Sequence, residues 1–424
     1  MEKVVLNIPY AESSKNFVVP RKNLLTYIQH PLLKHPNPIE EENEIIRGLQ
    51  NPMGCGRLKE LCDSGTKTII LVDDWTRPTP AYKIIKYVIK ELKDAGVKDE
   101  NVSFIIARGT HRKPTKSEIV EKLGRSIVEK YHVDVHDCDN NLTFLGKTSK
   151  GTPIWVNRGL LDADMVISIG TVIPHPLAGY GGGAKIIVPG VAGRETINYN
   201  HGLVGNPNAT VGITDSNPIR EDMEEIARKV GLDFSINLIL DERKNVVKVY
   251  CGEFVKAHRE CVKEYERIYG VRVSEQADIL MLGSCPRDAT FGHATFALYS
   301  AVQLVKEGGT IIFVAPCLEG PGTRFERLAF KELAYMEPKD LIEQIRNGLI
   351  EASSGAFDYC YSKVLKRNRI ILVSDNYTKK EALELGLDYA TSIEKALEKA
   401  FTYHGENAMV TVAPLGGMLT VLKN

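Results

Sequence analysis

TKTIILVDDWTRPTPAYKIIKYVIKELKDAGVKDENVSFIIARG, residues 66–109, carries the change of hydrophobic period that decides the fold. TKTIILVDD (66–74) is a short apolar run rich in Ile and Val that ends in two aspartates. AYKIIKYVIKELKDAG (81–96) repeats apolar residues at helical spacing and stops at Gly96; NVSFIIARG (101–109) is a second apolar run. Strand, helix and strand in that order predict a crossover unit in a mainly parallel, covered sheet. MVISIGTV (165–172) extends this sheet, and DFSINLILDERKNVVKVYCG (233–252) reads as a hairpin turning at ERKN. NPIREDMEEIARKVG (217–231) is a helix with Asn217 as N-cap and Pro218 at its first position. EFVKAHRECVKEYERIYG (253–270) is a long amphipathic helix ending at a glycine, where a domain boundary is expected.

A second alternating block follows: ADILMLGS, helix ATFALYSAVQLV, strand GGTIIFVAP, helices from 331 to 368, strand RIILVSD, and two more helices to His404. The expected fold class is therefore α/β, in two domains, each a mainly parallel sheet covered by helices. A hairpin in the first 20 residues precedes them. The expected boundaries are 1–272 for a cofactor-binding, catalytic N-terminal domain and 273–407 for a C-terminal α/β domain. The last strand, AMVTVAPLG (408–416), could close either sheet; with the tail to 424 it is returned to the first domain. The active site is expected in the cleft between domains, a common location for such pockets.

The bulk numbers bound the function. With 424 residues, 43% hydrophobic and 25% charged, the chain has ordinary globular composition. Lys plus Arg and Asp plus Glu number 54 each, so no basic excess points to nucleic acid and a small-molecule partner is expected. The N-terminus lacks a signal-peptide pattern, and no apolar run approaches the ~18 residues of a membrane helix. Cys55, Cys62, Cys138, Cys251, Cys261, Cys285, Cys317 and Cys360 are scattered without a C-x-x-C pair. They read as reduced thiols of a cytoplasmic protein rather than as a metal site.

In open α/β sheets, ligands bind at the carboxyl ends of strands. Three strand ends lead into unusual loops: DDWTRPTP (73–80), ARGTHRKPT (107–115) and PHPLAGYGGGAKIIVPG (174–190), with NYNHGLVGNPN (198–208) close behind. The third is not a P-loop. Lys185 is preceded by Ala184 and followed by Ile186, and Pro189-Gly190 interrupts any helix, which argues against a nucleotide-dependent kinase or ATPase. Gly181-Gly182-Gly183 either lets a bulky ligand lie against the main chain beside Lys185, or forms a mobile lid with an exposed lysine. His111, His175 and His201 all fall in these loops. Histidine is the natural acid and base near neutral pH and a common ligand for nickel or zinc; the alternative is three structural histidines. Arg77 offers a planar fork for a carboxylate or phosphate. Asp74 and Thr76 either bond a ligand or cap the helix that starts near 81.

Taken together, Asp74-Trp75-Thr76-Arg77-Pro78, Gly109-Thr110-His111-Arg112, the stretch from His175 to Gly190 and Asn200-His201 follow the pattern D-x-T-R-P, G-x-H-R-x-x-T, H-x-x-A-G-x-x-G-G-x-K-x-x-x-P-G and N-H. The chain resembles the nickel-pincer-nucleotide lactate racemases and related 2-hydroxyacid racemases and epimerases, over nearly its whole length. The resemblance implies inversion at C2 of a small 2-hydroxy acid by proton-coupled hydride transfer. The cofactor it implies is a pyridinium bis-thio-acid mononucleotide on Lys185, binding Ni, with His201 as nickel ligand. His111 and His175 match the acid/base pair and Arg77 the substrate-orienting arginine; Asp74, Thr76, Gly182 and Gly183 fall where the cofactor is contacted. Cofactor-synthesis enzymes are the implied maturation partners.

One stretch departs from the lactate-specific pattern. Where those relatives have Tyr-Gln-x-x-Lys, this chain reads Gly292-His293-Ala294-Thr295-Phe296. The carboxylate-holding lysine has become Phe296 and the glutamine His293. A tryptophan of a later helix is also missing, with Phe357 and Tyr359 nearby. Substrate contacts are accordingly assigned to Arg77, His293 and Phe296, with Arg287 or His293 replacing the lost charge. The acid itself is left open between lactate, a larger or less polar hydroxy acid and a sugar acid. Two other readings stand beside the racemase. A non-catalytic carrier of the nucleotide or nickel needs Lys185 and His201 but no acid/base pair, and a zinc hydrolase would use the three histidines.

Overall fold

A computed structural model of the chain describes residues 2–320, 333 and 335–422. The chain divides into two compact units, one of residues 32–173 and 177–267, the other of residues 1–31, 174–176 and 268–424.

In the first of these units, a six-stranded sheet runs in the order Val246–Gly252, Phe234–Leu240, Met165–Thr171, Thr68–Asp73, Val102–Ala107, His132–Val135. All neighbours are parallel except the edge hairpin expected from residues 233–252. Thr68–Asp73 is buried throughout, as a central strand of a covered sheet must be. Helix Ala81–Asp94 buries Ala81, Ile84, Ile85, Val88, Ile89 and Leu92, one helical stripe, against it. Met165–Thr171, Thr68–Asp73 and Val102–Ala107 are adjacent and parallel, so the loops that leave their carboxyl ends start side by side.

The second unit holds another six-stranded sheet, parallel throughout, in the order Asp388–Ala390, Arg369–Val373, Val305–Val314, Ala277–Gly283, Val410–Ala413, Leu24–Tyr27. The N-terminal hairpin of Lys3–Tyr10 and Ser13–Pro20 forms as expected, and its Ile8, Phe17 and Val19 join the core around Ile279, Met281 and Ile312. Helix Ile393–His404 closes the same core with Ile393, Ala396, Leu397 and Ala400. The helical stretch expected from 331 begins among residues outside those described; Pro338–Arg346 and Ala352–Arg367 supply the rest.

Two assignments differ from the sequence reading. Val410–Ala413 does not return to the first sheet but lies between Ala277–Gly283 and Leu24–Tyr27. The first 31 residues accordingly belong with the C-terminal unit and not with a domain spanning 1–272. Parallel pairing needs no closeness in sequence, so nothing local marks which sheet such strands complete. All eight cysteines are free thiols. Among the described residues, no helix is long and apolar enough to cross a membrane.

Candidate active site

Asp74 leaves the end of strand Thr68–Asp73 and is 2% exposed. Its Oδ1 accepts from the Thr76 backbone N–H at 3.0 Å and from Thr76 Oγ1 at 2.5 Å, and its Oδ2 lies 2.7 Å from His111 Nδ1. Arg77 Nη1 donates to Thr76 Oγ1 at 2.9 Å. Burial alone would raise the Asp74 carboxyl, but the neighbouring His111 and Arg77 and the Thr76 hydroxyl hold it below the usual carboxylate range. An ionised Asp74 fixes Nδ1 as the protonated nitrogen of His111, so the lone pair of the neutral ring lies on Nε2. The His111 backbone is set by Arg108, whose carbonyl accepts from His111 N and whose Nη1 donates to the His111 carbonyl. Asp74 and Thr76 do not cap the following helix, whose N-cap is Pro80 without a side-chain bond.

The glycine stretch is pinned by three buried side chains. Arg220, fully buried on helix Pro218–Val230, donates to the carbonyls of Ala178, Tyr180 and Gly182. His258 Nε2 lies 2.8 Å from the Gly181 carbonyl, and its Nδ1 is 3.1 Å from Arg259 Nη1. Burial and the flanking arginines keep that imidazole neutral, so Nε2–H donates and Nδ1 accepts. Asn237 Oδ1 accepts from Gly183 N–H at 2.8 Å. Gly182, at φ +74°, is needed for two reasons: a Cβ there would lie 2.8 Å from Asn237 Oδ1 and 2.9 Å from Val172 Cγ2. The room these glycines make on the Cβ side is thus taken by the protein itself. Gly109 N–H donates to the Gly190 carbonyl, tying the His111 loop to the same stretch.

Lys185 sits half-buried in the short turn Gly183–Ile186. His201, 3% exposed, ends helix Arg194–His201, and burial together with the Lys185 charge lowers its pKa to about 3. The helix is anchored one residue earlier, where Asn200 Nδ2 donates to Asp222 Oδ2 and to the Ile219 carbonyl. Asp222, fully buried, also accepts from Thr148 and Thr152. A buried imidazole held neutral is a ligand that a metal ion can take without displacing a proton. Groups of three protein donors among the described residues are His35–Asp241–Glu242 and Asp137–Cys138–Asp139, and neither includes His111 or His201.

His175 belongs to the other unit. It is 3% exposed and stands edge-on to Phe296 and Phe357. Arg287 Nη2 donates to the Pro174 carbonyl at 2.7 Å, and its guanidinium lies 4.6 Å from the Phe296 ring centre. His293 Nδ1 is 2.9 Å from Thr290 Oγ1, at the start of helix Phe291–Ala301. The structure thus brings Asp74, Thr76, Arg77 and His111 together, places Lys185 on the clamped stretch with His201 buried at the end of the next helix, and groups His175 with Phe296, His293 and Arg287. Sequence reasoning missed Arg220, His258 and Asn237. The available signal was Asn237, a polar residue in the middle of the apolar run SINLIL.

Family models for the lactate racemase N-terminal and C-terminal domains match residues 10–212 and 273–421. The lactate racemase of Thermoanaerobacterium thermosaccharolyticum is 28% identical over 419 residues, 97% of each chain. That of Lactiplantibacillus plantarum is 28% identical over 426 residues, covering 97% of this chain and 98% of its own. Among solved structures, the apoprotein of the Thermoanaerobacterium enzyme superposes with a TM-score of 0.86 at 27% identity, over 99% of this chain and 100% of that one. A protein from Thermotoga maritima shares the fold at 21% identity, with a TM-score of 0.68 over 90% of this chain and 98% of its own. With both domain models matched in order and the fold shared end to end, the chain is an isomerase that belongs to the lactate racemase family.

Proposed function

We propose that this protein inverts C2 of a 2-hydroxy acid, and that a nickel-pincer nucleotide attached to Lys185 serves it, with His201 as the metal's imidazole ligand. The observation that carries the reading is Lys185 on a loop clamped by Arg220, His258 and Asn237, followed by a helix that ends in the buried His201. When bound, the group supplies a hydride acceptor, so that C2 becomes planar and loses its handedness.

The chain's own residues handle the proton and the orientation. His111 takes the hydroxyl proton at Nε2 while Asp74 holds its Nδ1–H, and His175 does the same for the opposite enantiomer. Arg77 offers its fork to the substrate carboxylate. Asp74 orients His111 and stays with Thr76 among the proposed contacts to the nucleotide, since a carboxylate oxygen accepts more than one hydrogen bond. Gly182 and Gly183 remain the other proposed contacts, through their main chain. The oriented Asp74–His111 pair favours turnover over a carrier, which has no use for it. Maturation by cofactor-synthesis enzymes follows from the proposed adduct, and eight free thiols support a reducing, cytoplasmic setting.

The test is the mass of the Lys185 peptide from protein produced together with the cofactor-synthesis enzymes. A nucleotide-sized increase on Lys185 is expected, with both the increase and the inversion of hydroxy acids lost in Lys185→Ala. Inversion by protein whose Lys185 is unmodified would overturn the attachment; an adduct with no inversion of any hydroxy acid would bring the carrier forward.

A further inference from the structure

Resting on the function proposed above, we infer that the acid inverted here carries an apolar substituent on C2, aromatic or branched aliphatic, and that Phe296 and Phe357 set this preference. The argument starts from what surrounds the imidazole of His175. Phe296 meets it edge-on at 5.3 Å between ring centres and 89°, and Phe357 at 6.0 Å and 78°. These two phenyl rings stack on each other at 5.5 Å and 13°, and Tyr299 leans on Phe296 at 6.0 Å. The ring that exchanges the substrate's hydroxyl proton is thus flanked by aromatic carbon.

Two polar side chains of this cluster make hydrogen bonds to the protein. Arg287 is 6% exposed, with Nη2 on the Pro174 carbonyl, Nε 3.4 Å from the Gly417 carbonyl and its plane over Phe296. His293 Nδ1 is engaged with Thr290 Oγ1. A C2 substituent rich in hydroxyls, or bearing a second carboxylate, would set polar atoms against ring faces and leave their hydrogen bonds unmade. A phenyl or branched alkyl group loses nothing of the kind and adds ring-edge or dispersion contacts. Phe296 is itself 6% exposed and Phe357 half-buried, and the two rings stack on each other.

The experiment uses the matured enzyme, its Lys185 adduct verified by mass, and follows inversion of 3-phenyllactate, 2-hydroxy-3-methylbutanoate, lactate, malate and gluconate by chiral chromatography. The expected kcat/KM for 3-phenyllactate or 2-hydroxy-3-methylbutanoate exceeds that for lactate by about tenfold or more, the scale on which apolar pockets discriminate. Malate and gluconate fall at or below lactate. Phe296→Lys is expected to reverse the order in favour of malate or lactate through KM more than kcat. Phe296→Leu, which keeps the site apolar should the lysine variant fail to fold, is expected to lower the phenyllactate advantage several-fold while sparing 2-hydroxy-3-methylbutanoate. Gluconate, malate or lactate as the best substrate, or a phenyllactate advantage undiminished in Phe296→Leu, overturns the inference and leaves the proposed function standing. Inversion of none of the five acids by adduct-bearing enzyme overturns the proposed function, and this inference with it.

Discussion

A carboxyl buried as deeply as Asp74 ordinarily takes up a proton, because burial disfavours its charge. Here the His111 ring and the Arg77 guanidinium outweigh burial, and the carboxylate in turn chooses which imidazole nitrogen holds the proton. Asp74→Asn keeps the shape but lets an amide donate to Nδ1, which favours the wrong tautomer. The expected result is a fall in kcat of about a hundredfold or more, with KM little changed. For a racemase the equilibrium constant is one, so kcat/KM must fall equally in both directions; initial rates from each enantiomer check this. Asp358 is the opposite case. It is 2% exposed on helix Ala352–Arg367, its Oδ2 has no hydrogen-bond partner, and burial raises its pKa from 3.8 to about 7. Between those values the unfolded chain is ionised while the folded chain keeps the proton, so this group lowers stability as pH rises through the window. Asp358→Asn is therefore expected to melt like the parent near pH 3 and to gain at pH 8, by up to about 4 kcal/mol from the full shift. Melting curves of both proteins at the two pH values give the difference.

At the scale of elements, the glycine stretch owes its form to three neighbours that share no sequence proximity with it. Helix Pro218–Val230 brings Arg220, strand Phe234–Leu240 brings Asn237, and helix Phe254–Tyr269 brings His258. Each buried hydrogen bond of this kind contributes about 1–3 kcal/mol when its loss strands a polar group. His258→Leu and Asn237→Ala are expected to speed hydrogen exchange at residues 179–187 and to lower adduct occupancy on Lys185. The overall melting temperature should drop by only a few degrees, about 2–4 °C for each kcal/mol lost. Unchanged exchange in the loop would mean that other contacts hold it. The strands and helices themselves were legible, because Thr68–Asp73 and Ala81–Asp94 display their periods openly and Asn217-Pro218 marks a helix start. The loop's residue types were legible too, since a lysine among glycines breaks the P-loop spacing. What held the loop was not: Arg220 in PIREDMEEIARKV reads as one more surface charge of an amphipathic helix. Its burial depends on Tyr180, 40 residues earlier, and no periodicity encodes that pairing.

The chain repeats one solution twice, with a covered, mainly parallel sheet in each unit and an apolar cluster built from that unit's own residues. The second sheet is completed by Leu24–Tyr27 beside Val410–Ala413, a pairing between the two ends of the chain that local sequence cannot announce. The other unit is nearly continuous, from Leu32 to Arg267 apart from residues 174–176. It holds Asp74, Arg77, His111, Lys185 and His201, together with the clamp of Arg220, Asn237 and His258. A single core of this size suffices for independent folding. The fragment Leu32–Arg267 is therefore expected to melt cooperatively and, produced with the cofactor-synthesis enzymes, to gain the nucleotide-sized mass on Lys185. It is also expected to invert no hydroxy acid. His175 is present in that fragment, but Phe296, Phe357 and Arg287, which surround its ring and hold its neighbour's carbonyl, are gone. Calorimetry, peptide mass and chiral chromatography on one preparation read the three properties separately. An adduct without turnover assigns attachment to one unit and the second acid/base group to the other. Full turnover by the fragment would show that inversion needs none of the residues that surround His175 in the other unit.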